Sequence, residues 1–489
     1  MKKTTALLLA ALMLLSAVSC TDGNKPAPTE APKNTEAPAY TQEAGNTADP
    51  EATLTPAEIQ FAGDLSYDPE TDYDPRFGSF MDIVIDAGDV FYLHPDSSYI
   101  CYADKSGGDW GVLCGRPDCE HGRGNINEQN DDCNGCLGSD IGAMVWKYGD
   151  KLYYVDDWAG VHGESCGALY RMNLDGSGHE KVCMLPEIYG SFDEAMWPQC
   201  FYCHRGLIYT RTLYYDVENA EPIKRTGYYA MNMDGSDVRI IYESDKSGYG
   251  YMTFMGEYCY VLDYYNEFDE EGEVKNSIVT MLRWSPNTEK AEVLYEGNDI
   301  QLPNIGDLFM KDGEIYIASK FDKYTGQNGV MRFKDGGWEE MINFDDPETN
   351  WSVFCVSDGI AIARRHIRYD PDNTAPYWEA QRSTDLDIWI KDFEGNTLYK
   401  GKLPVGWTEL LDNGLFIYNW EKTAFGDRNT VYFMLDVGLQ APGHEDYTKE
   451  KNILLRYDIT ENGLEETLLS EITGWPMGDE EDSYWRSRS

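Results

Sequence analysis

The stretch LYRMNLDGSGHEKVCML, Leu169–Leu185, decides the fold of this chain. Two apolar-aromatic runs flank an Asp-Gly-Ser turn, which predicts two antiparallel strands joined by a tight hairpin. The pattern returns as YYAMNMDGSDVRIIYE at Tyr228–Glu243. Looser copies occupy Val279–Tyr295, Gly329–Phe344, Leu386–Leu403 and Ile453–Glu471, and a degenerate copy precedes them at Tyr99–Cys114. A hairpin repeated in this way predicts a repeat architecture.

A second motif precedes each hairpin: a turn containing Gly or Asp, followed by an apolar-aromatic strand. Its copies begin at Asp86, Tyr148, His204, Met255, Lys311, Ser357 and Asp412. Another short apolar run lies upstream, as at Trp351–Val356. Each unit therefore reads strand A, turn, strand B, variable loop, strand C, Asp-Gly turn, strand D. Seven such units from Phe80 to Glu471 predict an all-β, seven-bladed β-propeller of four-stranded antiparallel blades. A β-sandwich or two smaller β domains is the alternative.

The Met-Asn-x-Asp-Gly-Ser hairpin resembles the repeats of TolB-type and YWTD-type propellers, over most of the chain after residue 80. The resemblance implies the fold and does not imply an activity, because propellers host many unrelated functions. No copy reads Tyr-Trp-Thr-Asp, so receptor-type ligand binding does not carry over.

The N-terminus predicts export and a lipid anchor. Residues 1–20 combine Lys2 and Lys3 with a short apolar stretch that ends in Ala17-Val18-Ser19-Cys20. This pattern resembles a bacterial lipobox, which implies cleavage before Cys20, a lipid such as palmitate on Cys20, and an extracellular protein anchored to the cell membrane. The alternative is an ordinary secretory signal. Residues 21–57, rich in Pro, Thr, Glu and Ala, are expected to form a disordered tether, and residues 58–489 the propeller.

The formal net charge of -46 lies mainly on the predicted propeller. Such a surface repels nucleic acid and anionic membranes, so we expect no nucleic-acid partner. It also provides solubility, which by itself explains the charge.

Long B–C insertions should gather on one face of the ring, together with the D–A connections between blades. They are rich in aromatic residues among acids and amides, as sugar and peptide sites are. The alternative for each aromatic is packing onto a blade. The longest insertion is expected after a strand B at Asp412–Trp420, from Glu421 to Lys451. The candidate ligand-binding residues are Trp158, Tyr214, Tyr215, Tyr264, Tyr265, Arg365, Tyr369 and Trp378.

The D–A connection LCGRPDCEHGRGNINEQNDDCNGC, Leu113–Cys136, is the densest cluster of metal-binding residue types. Cys114, Cys119 and His121, with Cys133 or Cys136, fit a structural tetrahedral zinc site that would order a loop without a core. Disulfides are the alternative and suit an exported protein. The Cys-x4-Cys-x-His segment resembles one in propeller lipoproteins of Gram-positive anaerobes. That resemblance implies no function.

Cys200-Phe201-Tyr202-Cys203-His204 matches the Cys-x-x-Cys-His pattern of c-type haem attachment. It falls on a predicted strand A and its turn, where haem would displace blade packing. A local disulfide or two buried thiols is the simpler interpretation.

No nucleophile elbow, His-Glu-x-x-His helix or P-loop occurs in the sequence, and no catalytic residue is predicted. We therefore expect a non-catalytic cell-surface lipoprotein whose propeller binds carbohydrate, peptide or a partner protein. One alternative is a carbohydrate-active lyase or hydrolase. The other is a structural scaffold in an envelope assembly.

Overall fold

The computed structural model describes residues 67–74, 76, 84–93, 99–119, 133–137, 145–156, 168–184, 194–216, 221–244, 249–268, 274–298, 300, 308–311, 313–322, 326–349, 351–365, 387–406, 415–419, 424–439 and 448–473. All of them belong to one compact unit that spans residues 55–489. No helix among these residues has the length and apolar character of a membrane span.

The described strands form seven antiparallel sheets, each built from strands that are neighbours in the chain. Blade 1 contains β1–β4, at Val84–Asp86, Val90–Leu93, Cys101–Asp104 and Trp110–Val112. Blade 2 contains β5–β8, at Val145–Tyr148, Lys151–Asp156, Ala168–Asn173 and Glu180–Met184. Blade 3 contains β9–β12, at Glu194–His204, Leu207–Asp216, Glu221–Asn232 and Arg239–Ser244. Blade 4 contains β13–β16, at Tyr249–Met255, Tyr258–Phe268, Val274–Ser285 and Lys290–Gly297.

The remaining three sheets follow the same order. Blade 5 contains β17–β20, at Leu308–Lys311, Glu314–Asp322, Gly326–Lys334 and Gly337–Asn343. Blade 6 contains β21–β24, at Trp351–Ser357, Ile360–Arg365, Asp387–Asp392 and Thr397–Lys402. Blade 7 contains β25–β29, at Leu415–Asn419, Ala424–Gly426, Thr430–Leu439, Thr448–Thr460 and Gly463–Thr473. The molecule is therefore a seven-bladed β-propeller, as the repeats predict.

The repeated Asn-x-Asp-Gly-Ser sequence explains the C–D turn of blade 2. Gly176 has a φ of 79°, a conformation that glycine adopts at little cost. The Asp175 carboxylate accepts a hydrogen bond from the Ser177 backbone N–H at 2.9 Å, and Asn173 Nδ2 donates to Ser177 Oγ at 3.0 Å. Blade 3 repeats this geometry, with Asn232 Nδ2 donating to Ser236 Oγ at 3.0 Å.

Blade 7 differs from the prediction in its first two strands. Leu415–Asn419 and Ala424–Gly426 both pair with Thr430–Leu439, so they are two pieces of an interrupted strand A. The predicted strand B at Asp412–Trp420 is therefore wrong, and Thr430–Leu439 is the true strand B. The predicted insertion from Glu421 to Lys451 shortens accordingly to residues 440–447. The Asp-Asn-Gly sequence at 412–414 imitates the A–B turn motif, and only the pairing distinguishes the two.

The ring closes by side-chain packing between blades 7 and 1. The Phe91 ring lies 5.6 Å from Phe425 and 5.1 Å from Tyr432. Arg456 Nη1 donates to the Lys105 carbonyl at 3.0 Å. Because blades 1 and 7 each contain only their own consecutive strands, no described strand is exchanged between the two ends of the chain.

An N-terminal segment, residues 67–76, lies across the A–B turns of several blades. The Glu70 carbonyl accepts a bond from Gly149 N–H at 2.8 Å, and the Thr71 carbonyl accepts one from Arg205 N–H at 2.7 Å. The Tyr73 ring is buried and meets Tyr202 edge-on, with centroids 4.8 Å apart. The described chain thus enters the propeller on the side opposite the B–C loops.

Candidate metal centre and candidate binding surface

Three cysteines converge where strand D of blade 1 leaves its sheet. The Sγ atoms of Cys114, Cys119 and Cys133 all lie within 4.8 Å of one another. Cys114 is the second residue after the end of β4, and Cys119 closes a turn by donating its N–H to the Arg116 carbonyl at 3.3 Å. Cys133 belongs to a second turn, in which Cys136 N–H donates to the Cys133 carbonyl at 3.1 Å. Two short turns therefore bring together residues nineteen positions apart.

The surroundings of the three sulfur atoms favour negative charge at one of them. Burial opposes ionisation of Cys114, but the backbone N–H groups of Arg116 and Asn134 and the two neighbouring thiols hold its pKa below the usual value. Burial raises the pKa of the Cys133 thiol to about 12, although the Gly135 N–H donates to its sulfur. Burial likewise raises the pKa of Cys119. A thiolate at Cys114 is thus stabilised by protein donors and by S–H groups.

The geometry fits a tetrahedral, thiolate-binding cation. Zinc bonds to sulfur at about 2.3 Å, which separates the sulfur atoms of a tetrahedral site by about 3.8 Å. The three sulfur atoms lie within 4.8 Å of one another, so the spacing of a tetrahedral site is within their range. A disulfide joins two sulfur atoms and leaves the third cysteine as a thiol, whereas a metal ion can bind all three. A cation would also replace the thiol protons and compensate the charge of three thiolates.

The second turn is held against blade 1 by backbone hydrogen bonds. Ile100 N–H donates to the Gly135 carbonyl at 2.9 Å, and Tyr99 pairs with Cys136 in an isolated β-bridge. A Cβ atom on Gly135 would lie 2.5 Å from Val112 Cγ1, so only glycine permits this approach. The cysteines are therefore positioned by the sheet rather than by their own loop.

The centre also touches the C–D turn of blade 2. A Cβ on Gly176 would lie 2.2 Å from the Leu113 carbonyl, and His179 Nε2 donates to the Asn134 carbonyl at 2.7 Å. The cysteine connection was expected on the face that carries the B–C insertions. The described part contacts Tyr99 and Ile100, which directly precede strand C of blade 1, and also the C–D turn of blade 2. The placement on that face stays a prediction.

The predicted site residues divide between described and undescribed parts of the chain. Cys114, Cys119 and Cys133 come together, while Cys136 lies outside their group. Tyr214 and Tyr215 lie in β10, where the structure describes the backbone. Outside the described residues lie Cys20, His121, Trp158, Tyr369 and Trp378.

Two adjacent tyrosines of blade 4 have different environments. Tyr264 is 5 % exposed and stacks on Tyr251 at 6.2 Å, which places its ring in the core. Tyr265 is half-buried and lies beyond the last residue that pairs with β13. The candidate arginine, Arg365, is exposed at the end of β22 and lies 3.5 Å from the Asp387 carboxylate.

Blade 4 carries a two-stranded extension on the B–C side, formed by residues 265–268 and 274–278. The β13 ladder ends at Tyr264 and the β16 ladder ends at Val279, so the extension projects past both neighbours in the described sheet. Its side chains form polar pairs: Ser277 Oγ donates to Asn266 Oδ1 at 2.8 Å, and Asn276 Nδ2 donates to Glu267 Oε2 at 3.0 Å. Because successive side chains of a strand alternate, one face of this blade 4 extension carries Tyr265, Glu267 and Asn276, and the other carries Asn266 and Ser277.

The haem-like motif is part of the core of blade 3. The His204 Nδ1 atom accepts a hydrogen bond from Tyr73 N–H at 3.1 Å, and Nε2 donates to the Gly256 carbonyl at 2.8 Å. Both ring nitrogens are therefore engaged by the backbone, and the imidazole stacks on Phe254 with centroids 4.6 Å apart. Burial lowers the pKa of His204 to about 4. The motif holds the N-terminal segment rather than an iron atom.

Sequence reasoning missed His179. In the aligned C–D turn of blade 3, Val238 stands at this position. A histidine inside a repeated turn is the only signal that the sequence offers. Its contact with Asn134, 45 residues away, becomes visible only in the folded ring.

Fold and site define the class of this molecule: a seven-bladed propeller with a thiol cluster at one blade junction. No family model matches the chain, and no curated protein matches it. Solved structures resemble its backbone. A puromycin hydrolase has a TM-score of 0.48 and 12% identity, covering 82% of this chain and 55% of the other. A prolyl endopeptidase has a TM-score of 0.44 and 11% identity, covering 84% and 51%.

The β-propeller domain of the Trilobed protease from Pyrococcus furiosus has a TM-score of 0.34 and 11% identity. That match covers 68% of this chain and 95% of the domain. The chain spans about half the length of the puromycin hydrolase and the prolyl endopeptidase, 55% and 51%. Similarity at this level concerns the fold, and peptide hydrolysis is a property of those proteins.

Proposed function

We propose that this protein is a non-catalytic, lipid-anchored cell-surface propeller that binds a carbohydrate or peptide on its B–C side. The observation that carries the proposal is the blade 4 extension, which projects beyond both neighbouring strands of the described sheet and has Tyr265 on the same face as Glu267 and Asn276. Aromatic faces beside amides and carboxylates suit sugar rings and peptide backbones, which need apolar stacking and directed hydrogen bonds together.

The position of the N-terminal segment, residues 67–76, supports placing the ligand site on the B–C side of the propeller. The N-terminal segment makes its contacts with A–B turns, through Gly149 and Arg205. Attachment through the N-terminus does not use the B–C side, which is then available to a ligand. The proposed anchor is a lipid on Cys20, and a Cys20→Ala variant should leave the membrane fraction and lose incorporation of labelled palmitate.

The proposal includes a structural zinc ion at Cys114, Cys119 and Cys133. Zinc has no redox chemistry of its own in proteins and is bound by four ligands in structural sites. His121 is the predicted fourth ligand. Such a site would fasten the D–A connection to blades 1 and 2.

The binding proposal is tested with a glycan array and a peptide library as probes, followed by titration of the strongest binder. We expect Tyr265→Ala to weaken binding at least tenfold, since it removes the aromatic face of the extension. Trp110→Ala is the matched control, because Trp110 is 36 % exposed on the outer strand of blade 1. Equal loss in both variants, or full binding by Tyr265→Ala, would contradict the proposal.

A further inference from the structure

We propose that His179 is a positioning residue of the metal centre, which fixes the peptide group that donates to Cys133 and so links blade 2 to the metal. This inference rests on the zinc centre proposed above. His179 is on the C–D turn of blade 2 and is separated from Asn134 by 45 residues. It touches none of the three sulfur atoms directly in the described contacts; its effect passes through one backbone peptide.

The hydrogen bonds fix the imidazole from both sides. Tyr154 Oη and His179 Nδ1 are 2.6 Å apart, and His179 Nε2 lies 2.7 Å from the Asn134 carbonyl and 2.9 Å from the Gly176 carbonyl. Carbonyl oxygens only accept, so Nε2 carries the proton and donates. Nδ1 then accepts from the Tyr154 hydroxyl. The orientation and the tautomer of His179 follow from its partners.

The carbonyl that His179 holds belongs to the peptide between Asn134 and Gly135. The N–H of that same peptide donates to Cys133 Sγ. Because a peptide group is planar, fixing its oxygen fixes the direction of its N–H. Hydrogen bonding at the oxygen also polarises the N–H and strengthens its bond to sulfur. The neighbouring peptide N–H, that of Asn134, donates to Cys114 Sγ. One histidine therefore orients the turn that serves two of the three ligands.

Tyr154, which donates to His179, is held in position by packing within blade 2. Tyr154 is buried in strand B of blade 2, and its ring stacks on Tyr170 at 5.4 Å. Its ring meets His179 edge-on, with centroids 5.7 Å apart. A chain of hydrogen bonds therefore runs from Tyr154 in the core of blade 2, through His179, to the Asn134 carbonyl in the cysteine turn. Partners of this kind behind metal ligands change metal affinity by 10- to 100-fold when they are removed.

The experiment compares zinc affinity of the mature chain, measured by competition with a chromogenic chelator, in the wild type, His179→Ala, His179→Gln and Val238→Ala. We expect His179→Ala to bind zinc about 10- to 100-fold more weakly. His179→Gln should recover most of the affinity, because its amide N–H reaches the same carbonyl. Val238→Ala, at the aligned position in blade 3, should equal the wild type.

Cobalt substitution separates positioning from general stability. Tetrahedral Co²⁺ bound by thiolates absorbs through sulfur-to-metal charge transfer, and N–H donors to sulfur move that band to higher energy. The band should shift to lower energy in His179→Ala and, by a smaller amount, in Tyr154→Phe, which keeps the ring and removes the hydroxyl. If His179→Ala fails to fold, the Tyr154→Phe spectrum decides.

The outcomes distinguish the two proposals. A wild-type protein that binds no zinc removes the metal centre itself, and the role of His179 falls with it. A wild type that binds zinc, with His179→Ala affinity within twofold and an unshifted cobalt band, overturns the positioning role and leaves the metal centre standing. Weak binding by His179→Gln equal to that of His179→Ala would also contradict it.

Discussion

Two segments of this protein combine cysteines with histidine, and the fold uses them in different ways. In the segment 114–136, three thiols converge at a blade junction, and Cys114 and Cys133 receive backbone N–H donors. In the segment 200–204, Cys203 and His204 are buried in the core of blade 3, and the imidazole is bonded at both nitrogens by backbone groups. Similar composition therefore supports a metal site in one place and core packing in the other.

The difference comes from the backbone that carries each segment. Residues 200–204 lie at the end of a regular strand, where successive side chains point to opposite faces and cannot meet at one point. Residues 114–119 and 133–136 lie in turns outside the strands, where side chains can converge. A metal needs convergent ligands, so spacing alone does not identify a site; the local backbone must also be irregular and held in place.

The largest expected effect is on zinc binding, and it should appear when a cysteine is replaced in the segment 114–136 but not when one is replaced in the segment 200–204. Cys133→Ser should weaken zinc binding at least a thousandfold, about 4 kcal/mol, because it removes a thiolate ligand. Cys203→Ser should bind zinc as the wild type does and lose about 1–3 kcal/mol of unfolding free energy by burying a hydroxyl. Zinc competition and chemical denaturation measure the two effects. Loss of zinc binding in Cys203→Ser would contradict the assignment of the segment 200–204 to core packing.

A second prediction concerns pH and the His204 segment. The folded-state pKa of His204 is about 4, below the ordinary value of 6.5, so the unfolded chain takes up a proton first as pH falls. The stability that the neutral imidazole contributes is complete above pH 6.5 and is lost as pH falls towards 4, in total about 3 kcal/mol. His204→Gln should lack this part of the pH dependence. Parallel pH profiles of the two proteins would contradict the assignment.

A smaller effect tests how the cysteine turn is held. Gly135→Ala would place a Cβ 2.5 Å from Val112 and should displace the turn, with zinc binding about tenfold weaker, about 1.4 kcal/mol. Gly115→Ala is the matched control, since a Cβ there meets no atom within 4 Å. Zinc titration of both variants measures the contrast. Equal affinities would show that the sheet does not position the turn.

The ring was predictable because the repeats are local. Each Asp-Gly turn and each apolar strand is encoded within a few residues, and seven copies fix the blade count. Blade 7 was partly misassigned because its strand A is interrupted and Asp412–Gly414 imitates an A–B turn. Pairing partners decide such a case, and they lie outside the local sequence.

That the cysteines of this connection would cluster was predictable from residue type, but their arrangement was not. The density of cysteine and histidine in one connection indicated Cys114, Cys119 and His121 with Cys133 or Cys136. The structure brings Cys114, Cys119 and Cys133 together, and a ligand role for His121 stays a prediction. The sequence marks His179 only as a histidine inside a repeated turn, because its contact with the cysteine turn forms only when blade 2 packs beside blade 1. Tyr264 illustrates the same limit: alternation alone does not say which of two adjacent tyrosines faces the core.

The metal content of the protein shows whether the three converging cysteines hold a cation or form a disulfide. Residues 58–489 would be purified without chelator, and metal and thiols counted in the wild type and in Cys114→Ser. We predict one zinc per chain in the wild type, none in Cys114→Ser, and thiols at 114, 119 and 133 that react only after the metal is removed. No metal in the wild type, with two of these three cysteines joined in a disulfide, would contradict this prediction.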